Sequence, residues 1–167
     1  MNGRVVHLHL APAEGAPMVA HDALAAEAGV GITGDRYALR AGHYSSSGGD
    51  GRQVTLIEAE VLDDLAARGM SLAPGATRRN VTTEGVGLND LVGRRFRIGD
   101  VELVGRRPCE PCTYMQELVG QPVLAPLVHR GGLRADILVG GELRIGDPVA
   151  PIEELVPAAS TAQEGDP

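Results

Sequence analysis

Residues 94–112 read RRFRIGDVELVGRRPCEPC. On either side of Gly99-Asp100 apolar residues alternate with charged ones, the pattern of two antiparallel strands joined at a two-residue turn. Arg94, Arg95 and Arg97 then fall on solvated strand positions, while Phe96 and Ile98 face a core. The strands lead into a Cys-x-x-Cys that holds both cysteines of the chain, Cys109 and Cys112, directly behind Arg106 and Arg107. Pro111 suits the first position of a short helix and Gly120 suits its stop. That reading puts Cys109 at or just before the helix N-terminus and Cys112 one turn inside. Unpaired amides and the two arginines would stabilise an anion there, so Cys109 is the expected thiolate.

Outward from this stretch the chain reads as short strands. RVVHLHLAP at 4–12 opens as an alternating strand, with Val5, His7 and His9 on one face and Val6, Leu8 and Leu10 on the other. GVGITGDRYA at 29–38 is a glycine-punctuated turn into a strand, and QVTLI at 53–57 is another. IEAEVLDDLAARGM at 57–70 is the clearest helix, with Val61, Leu62, Leu65 and Ala66 on one stripe and Gly69 as its end. RAGHYSSSGGDGR at 40–52 is too polar to pack and reads as a mobile loop able to close over a pocket. RADILVGGELRIGDPVAPI at 134–152 reads as a final hairpin about Gly140-Gly141. Its RIGD repeats the RIGD of 97–100, as a repeated turn solution. The fold class that follows is mainly β: a bent, partly closed β-barrel with a few short helices. Residues 1–155 form one domain on this reading, with 156–167 as a disordered tail.

Composition narrows the chemistry. The chain has 167 residues, and all 15 of its basic residues are arginine. With no lysine, it cannot form the internal Schiff base by which pyridoxal phosphate is usually held. Aromatic residues are only 2 %, so the core is aliphatic. A net charge of -7 disfavours nucleic acid as a partner. The charge is unevenly spread, however: residues 78–107 hold seven arginines against Glu84, Asp90, Asp100 and Glu102, which allows a local anion site. No stretch reads as a leader or a membrane span, so the expected location is cytoplasmic, where a Cys-x-x-Cys is more often reactive or metal-binding than a structural disulfide. On residues alone, a structural zinc site, a thiol-redox pair and two packed thiols all remain open. The zinc reading lacks a second ligand pair at close spacing, and the redox reading lacks a βαβ setting.

GITGDRYA, QVTLIEAEVL, TRRNVTTEGVGLNDLVGRRFRIGDVELVG, RRPCEPC and HRGGLRADILVGGELRIGD occur in this order. Together the set resembles the MOSC domain, the C-terminal module of molybdenum cofactor sulfurases, which also occurs as stand-alone bacterial proteins. The resemblance implies a strand-rich barrel that binds the molybdenum cofactor (molybdopterin), with Cys109, the cysteine of the RxPC pattern, as molybdenum ligand or sulfur carrier. It places Arg78, Arg79 and Asn80 in the cofactor site, with Arg36 of GDR and Arg130 of RGG. Relatives of this type reduce N-hydroxylated compounds, and such an activity here would require an external reductase. The alternatives are a non-catalytic carrier of cofactor or of sulfur received from a donor protein, and a thiol-redox protein in which Cys112 resolves Cys109. The sulfurases also carry a pyridoxal-phosphate desulfurase, which has no counterpart in this lysine-free chain.

Overall fold

The protein is described as a computed structural model covering residues 2–153; the tail expected at 156–167 lies outside the described residues. Eleven strands and three α-helices are present among them. The strands are β1 (Gly3–Leu10), β2 (Val19–His21), β3 (Ala23–Glu27), β4 (Gly31–Ile32), β5 (Val54–Glu58), β6 (Val81–Glu84), β7 (Arg95–Ile98), β8 (Val101–Pro108), β9 (Leu133–Val139), β10 (Gly141–Arg144) and β11 (Pro148–Pro151). The helices are α1 (Ala59–Ala67), α2 (Thr113–Val119) and α3 (Leu124–Leu127).

The barrel is closed. Strands run in the order β11-β7-β8-β9-β5-β6-β1, and β11 pairs back onto β1 through Gly3 with Val149 and Arg4 with Pro148. β2 extends β1 on its outer side, and β10, β3 and β4 form a separate three-stranded sheet. All barrel pairs are antiparallel except β5 with β6, whose parallel pairing is bridged by α1. Closure removes the exposed edges that an open sheet of this size would present. The interior is aliphatic, as composition requires: Leu56, Val81, Leu103, Leu133 and Val149 are fully buried around Phe96, the chain's one phenylalanine. Each such Leu or Val contributes about 1.5–3 kcal/mol on burial. A smaller apolar cluster of Val61, Leu65, Met115, Val123 and Leu127 joins the three helices and holds α2 against the barrel mouth.

Three expectations about the strands need correction. In β1, a bulge between Val5 and His7 breaks the alternation, so Val5 and Leu8 both face the core and His7 is exposed; an inserted residue shifts every later side chain to the opposite face. The hairpin at Gly99-Asp100 is present, with Ile98 opposite Val101. The one expected at Gly140-Gly141 is not, because β10 leaves β9 to pair with β3. The second RIGD likewise joins strands of different sheets. Pro148 follows it where Val101 follows the first, and a proline has no amide hydrogen to return to the preceding strand. Its carbonyl instead accepts from the Gly99 amide at 3.0 Å. No helix among the described residues is long and apolar enough to cross a membrane.

Candidate functional site

At one mouth of the barrel, a cleft lies between the end of β8, the start of α2 and the segment 36–44. Arg36, Tyr37, Tyr44, Thr55, Arg78 and Arg79 line it from one side. Cys109, Glu110, Cys112, Tyr114, Met115 and Arg134 line it from the other.

The two cysteines take different places from those expected. α2 starts at Thr113 and its N-cap is Cys112, whose Sγ accepts the Met115 amide at 3.4 Å. Cys109 lies before the helix in extended chain and is 1 % exposed. Its amide donates to Gly132 O at 2.8 Å, and its carbonyl accepts from Arg79 Nη2 at 2.9 Å. Pro111 does not enter the helix, which begins only after the extended N-cap Cys112. The helix-terminal amides therefore serve Cys112, while Cys109 is a buried thiol fixed by its own backbone bonds. Both are free thiols.

The RGG segment explains that fixation. A Cβ on Gly131 would collide with the Cys109 carbonyl, and one on Gly132, where φ is +111°, would collide with the Leu56 carbonyl. Only glycine lets the segment leading into β9 pass this close to the cysteine. Arg79 completes the clamp: Nε donates to Gly131 O at 2.9 Å and Nη1 to Thr77 O at 3.0 Å. With its donors committed to carbonyls and 7 % exposure, Arg79 is a brace for Cys109 and not a free anion ligand. Asn80 is also internal, accepting from the Thr55 amide at 3.1 Å and donating to His9 O at 3.1 Å. Arg130 stands apart from the cleft lining, where its Nη2 donates to Asp64 at 2.9 Å; it ties the RGG segment to α1.

Arg36 and Arg78 are the cleft's buried cations. Arg36 pairs with the fully buried Asp35 at 3.0 Å and donates to Arg78 O at 3.3 Å. Arg78 holds φ +67°, a left-handed conformation unusual for a side-chain-bearing residue. Its Nη1 donates to Ala16 O at 2.8 Å, but its buried Nη2 has no partner among the described residues. Burial first and Arg36 second push the Arg78 guanidinium below its ordinary value. A buried donor left without an acceptor, in a strained residue beside a second cation, is a cost that an anionic ligand would relieve.

All three tyrosines of the chain, Tyr37, Tyr44 and Tyr114, line this cleft. Reading the sequence missed them, although concentrating so scarce a residue type in one place is itself a signal. Tyr114 stacks face to face on His43 at 3.7 Å, and His43 Nδ1 meets Glu14 at 2.7 Å. The Tyr44 phenol is pushed up to about 12, through a side-chain hydrogen bond with Cys112 first and burial second. The Gly/Ser segment expected to be a mobile loop contains a short 3-10 turn at Ser45–Ser47. It is tied down at Gly51, whose amide donates to Asp136 at 2.9 Å, and at Asp50, which pairs with Arg107 at 2.8 Å.

The fold and cleft together define a closed β-barrel domain with a thiol-containing, cationic pocket at its mouth. The MOSC domain family profile matches residues 43–150, and the chain belongs to that family, which is associated with the molybdenum cofactor. Among solved structures, the YuaD protein from Bacillus subtilis is similar at TM-score 0.73 and 20 % identity, over 89 % of this chain and 94 % of that one. YiiM from Geobacillus stearothermophilus is similar at TM-score 0.67 and 20 % identity, over 95 % and 79 %. YiiM from Escherichia coli is similar at 0.61 and 18 %, over 91 % and 71 %. At these identities the likeness concerns the fold. No curated protein matches the chain.

Proposed function

We propose that the cleft binds the molybdenum cofactor and that the protein reduces N-hydroxylated compounds. The observation that carries this reading is Arg78: a buried guanidinium with an unpartnered Nη2, beside Arg36, in the same cleft as two free thiols. The donor set fits the group. Arg78 and Arg36 would hold its anionic portion by charge-assisted hydrogen bonds, and Cys109 offers a soft sulfur ligand to a metal already bound by dithiolene sulfur. When bound, the cofactor supplies two-electron oxygen-transfer chemistry.

The chain's own residues prepare the site. Arg79 and Gly132 fix both backbone polar groups of Cys109, which sets the position of its buried thiol in the cleft wall. Tyr44, its phenol pushed up to about 12 by the hydrogen bond with Cys112, keeps its proton through neutral pH and ties the segment 36–44 to the start of α2. Tyr114 and His43, stacked at the mouth, give that side of the cleft a flat aromatic wall. Reduction of R-NHOH to R-NH2 consumes two electrons and two protons and releases water; an external reductase supplies the electrons.

Production in a host that makes the cofactor tests the reading. Molybdenum and an oxidisable pterin should co-purify with the wild type. Arg78→Ala should lower their content by roughly ten- to a hundredfold, the equivalent of a lost charged hydrogen bond. Cys109→Ser should abolish reductase activity while retaining part of the pterin, and Cys112→Ser should change little. Cofactor without turnover on any N-hydroxylated base or amidoxime would favour the carrier. A wild type free of molybdenum and pterin, with a reversible Cys109-Cys112 disulfide, would replace the reading with thiol redox.

A further inference from the structure

Outside the cleft, and sharing Tyr44, Glu110, Cys112 and Arg134 with it, runs an open groove also lined by Arg52 and Arg107. Its charge is only partly used by the fold, in the Arg107–Asp50 pair that ties down the Gly/Ser segment. Arg107 of β8 and Arg134 of β9 stand directly opposite one another in the ladder. Like charges at facing positions of an antiparallel pair are destabilising. Thr55 of β5 is the next partner of Arg134 in the same row, so the pair leads toward the cleft.

The three guanidiniums are poorly neutralised. Among the described residues, no hydrogen bond or ion pair engages the Arg134 guanidinium. Arg52 donates from Nε to Gly48 O at 3.2 Å and lies over the Tyr44 ring at 5.5 Å. Burial, then Arg134 and Arg107, push the Arg52 guanidinium down, as expected of cations that face one another. Of the nearby carboxylates, Asp50 is more than half exposed and is shared between Arg107 at 2.8 Å and Arg106 at 3.8 Å. Glu110 lines the groove, but its two oxygens already meet His129, at the amide (2.7 Å) and at Nδ1 (2.9 Å).

We propose that Arg52, Arg107 and Arg134 form a second anion site that binds the phosphate of a phosphorylated substrate whose reacting end occupies the adjoining cleft. Three guanidiniums around one opening suit a dianion with three equivalent oxygens better than a single carboxylate. The buried pair Arg36 and Arg78 serves the inner anion, so the outer site is free for substrate. Because the cleft that the groove enters holds every tyrosine of the chain, the class favoured is a nucleoside monophosphate, its base among the tyrosines and its phosphate on the arginines. Naming this substrate class rests on the reductase reading; the anion site itself does not.

Titration calorimetry at low ionic strength on the full chain, whatever its metal content, provides the test. Adenosine 5′-monophosphate and inorganic phosphate should bind, adenosine should bind at least about tenfold more weakly than its monophosphate, and the affinity should fall as salt rises. Arg134→Gln and Arg52→Gln should each weaken phosphate binding about tenfold or more, and Arg52→Gln should leave molybdenum and pterin content unchanged. Equal binding of adenosine and its monophosphate would overturn the proposal, as would phosphate binding that survives both substitutions in folded protein. Loss of cofactor from Arg52→Gln would overturn it differently, by assigning the groove to the cofactor. A protein that binds the monophosphate but carries no molybdenum would sink the reductase reading and leave the anion site standing.

Discussion

Replacing Arg79 with methionine keeps most of the side-chain volume and removes only the guanidinium, so it isolates what the clamp contributes. In the native protein that group satisfies the carbonyls of Thr77, Cys109 and Gly131 at 2.9–3.0 Å. A buried acceptor left without its donor costs about 1–3 kcal/mol. Part of this is recovered where water can enter from the cleft, so a loss of about 3–6 kcal/mol is expected. For a chain of this size about 2–4 °C of Tm accompanies each kcal/mol. Urea denaturation followed by circular dichroism gives the stability, and thiol titration in native buffer gives a second readout. Arg79→Met should expose Cys109 to the reagent, since its carbonyl is no longer held. Arg78→Met provides the contrast: it gives up one part-buried bond, to Ala16 O at 2.8 Å, and removes a buried Nη2 that has no partner, so the loss should be about 1–2 kcal/mol and smaller than for Arg79→Met. A loss below about 1 kcal/mol for Arg79→Met, with Cys109 still protected, would refute the clamp.

Cys112, partly exposed at the N-cap of α2, should react with iodoacetamide much faster than Cys109, which is 1 % exposed; mass spectrometry of the two peptides after timed quenching checks the order, and faster labelling of Cys109 would contradict its burial. Gly132→Ala should destabilise by more than about 3 kcal/mol, or prevent folding, because the new methyl meets the Leu56 carbonyl at a positive φ. His9 is pushed below its ordinary value of 6.5 by burial first and then by His7 and His21. The unfolded chain therefore takes up its proton at higher pH than the folded one, so this contribution is intact above about 6.5 and is lost as pH falls below it, by up to about 1.4 kcal/mol per pH unit. Urea midpoints between pH 7.5 and 5.5 should fall less steeply for His9→Gln than for wild type; parallel slopes would remove His9 as the cause.

The barrel was legible because its signals are local. The strand at 53–57, the Gly99-Asp100 turn and the helix ending before Gly69 depend on residues close in sequence, and each is present. What was not legible depends on partners far away. Whether Gly140-Gly141 turns a hairpin or sends the chain to another sheet is decided by β3, more than a hundred residues earlier. The helix starts later than expected, so Cys112 and not Cys109 stands at its N-terminus, while the Cys109 amide is engaged by the distant Gly132 carbonyl. Arg79 and Arg78 are adjacent and chemically identical, yet one braces a cysteine and the other faces the cleft with a spare donor. Nothing in the pair TRR distinguishes them; the left-handed turn at Arg78, visible only in three dimensions, does.

Pairing between Gly3 and Val149 closes the barrel, and this has a temporal consequence. Until β11 docks, the free side of β7 and the Gly3-Arg4 end of β1 lack partners, so a folding intermediate presents two adhesive edges. Contacts of such long sequence separation form slowly. Faulty chains should therefore accumulate as strand-exchanged dimers, in which the last strand of one molecule seals the gap in another, more readily than as loosely collapsed monomers.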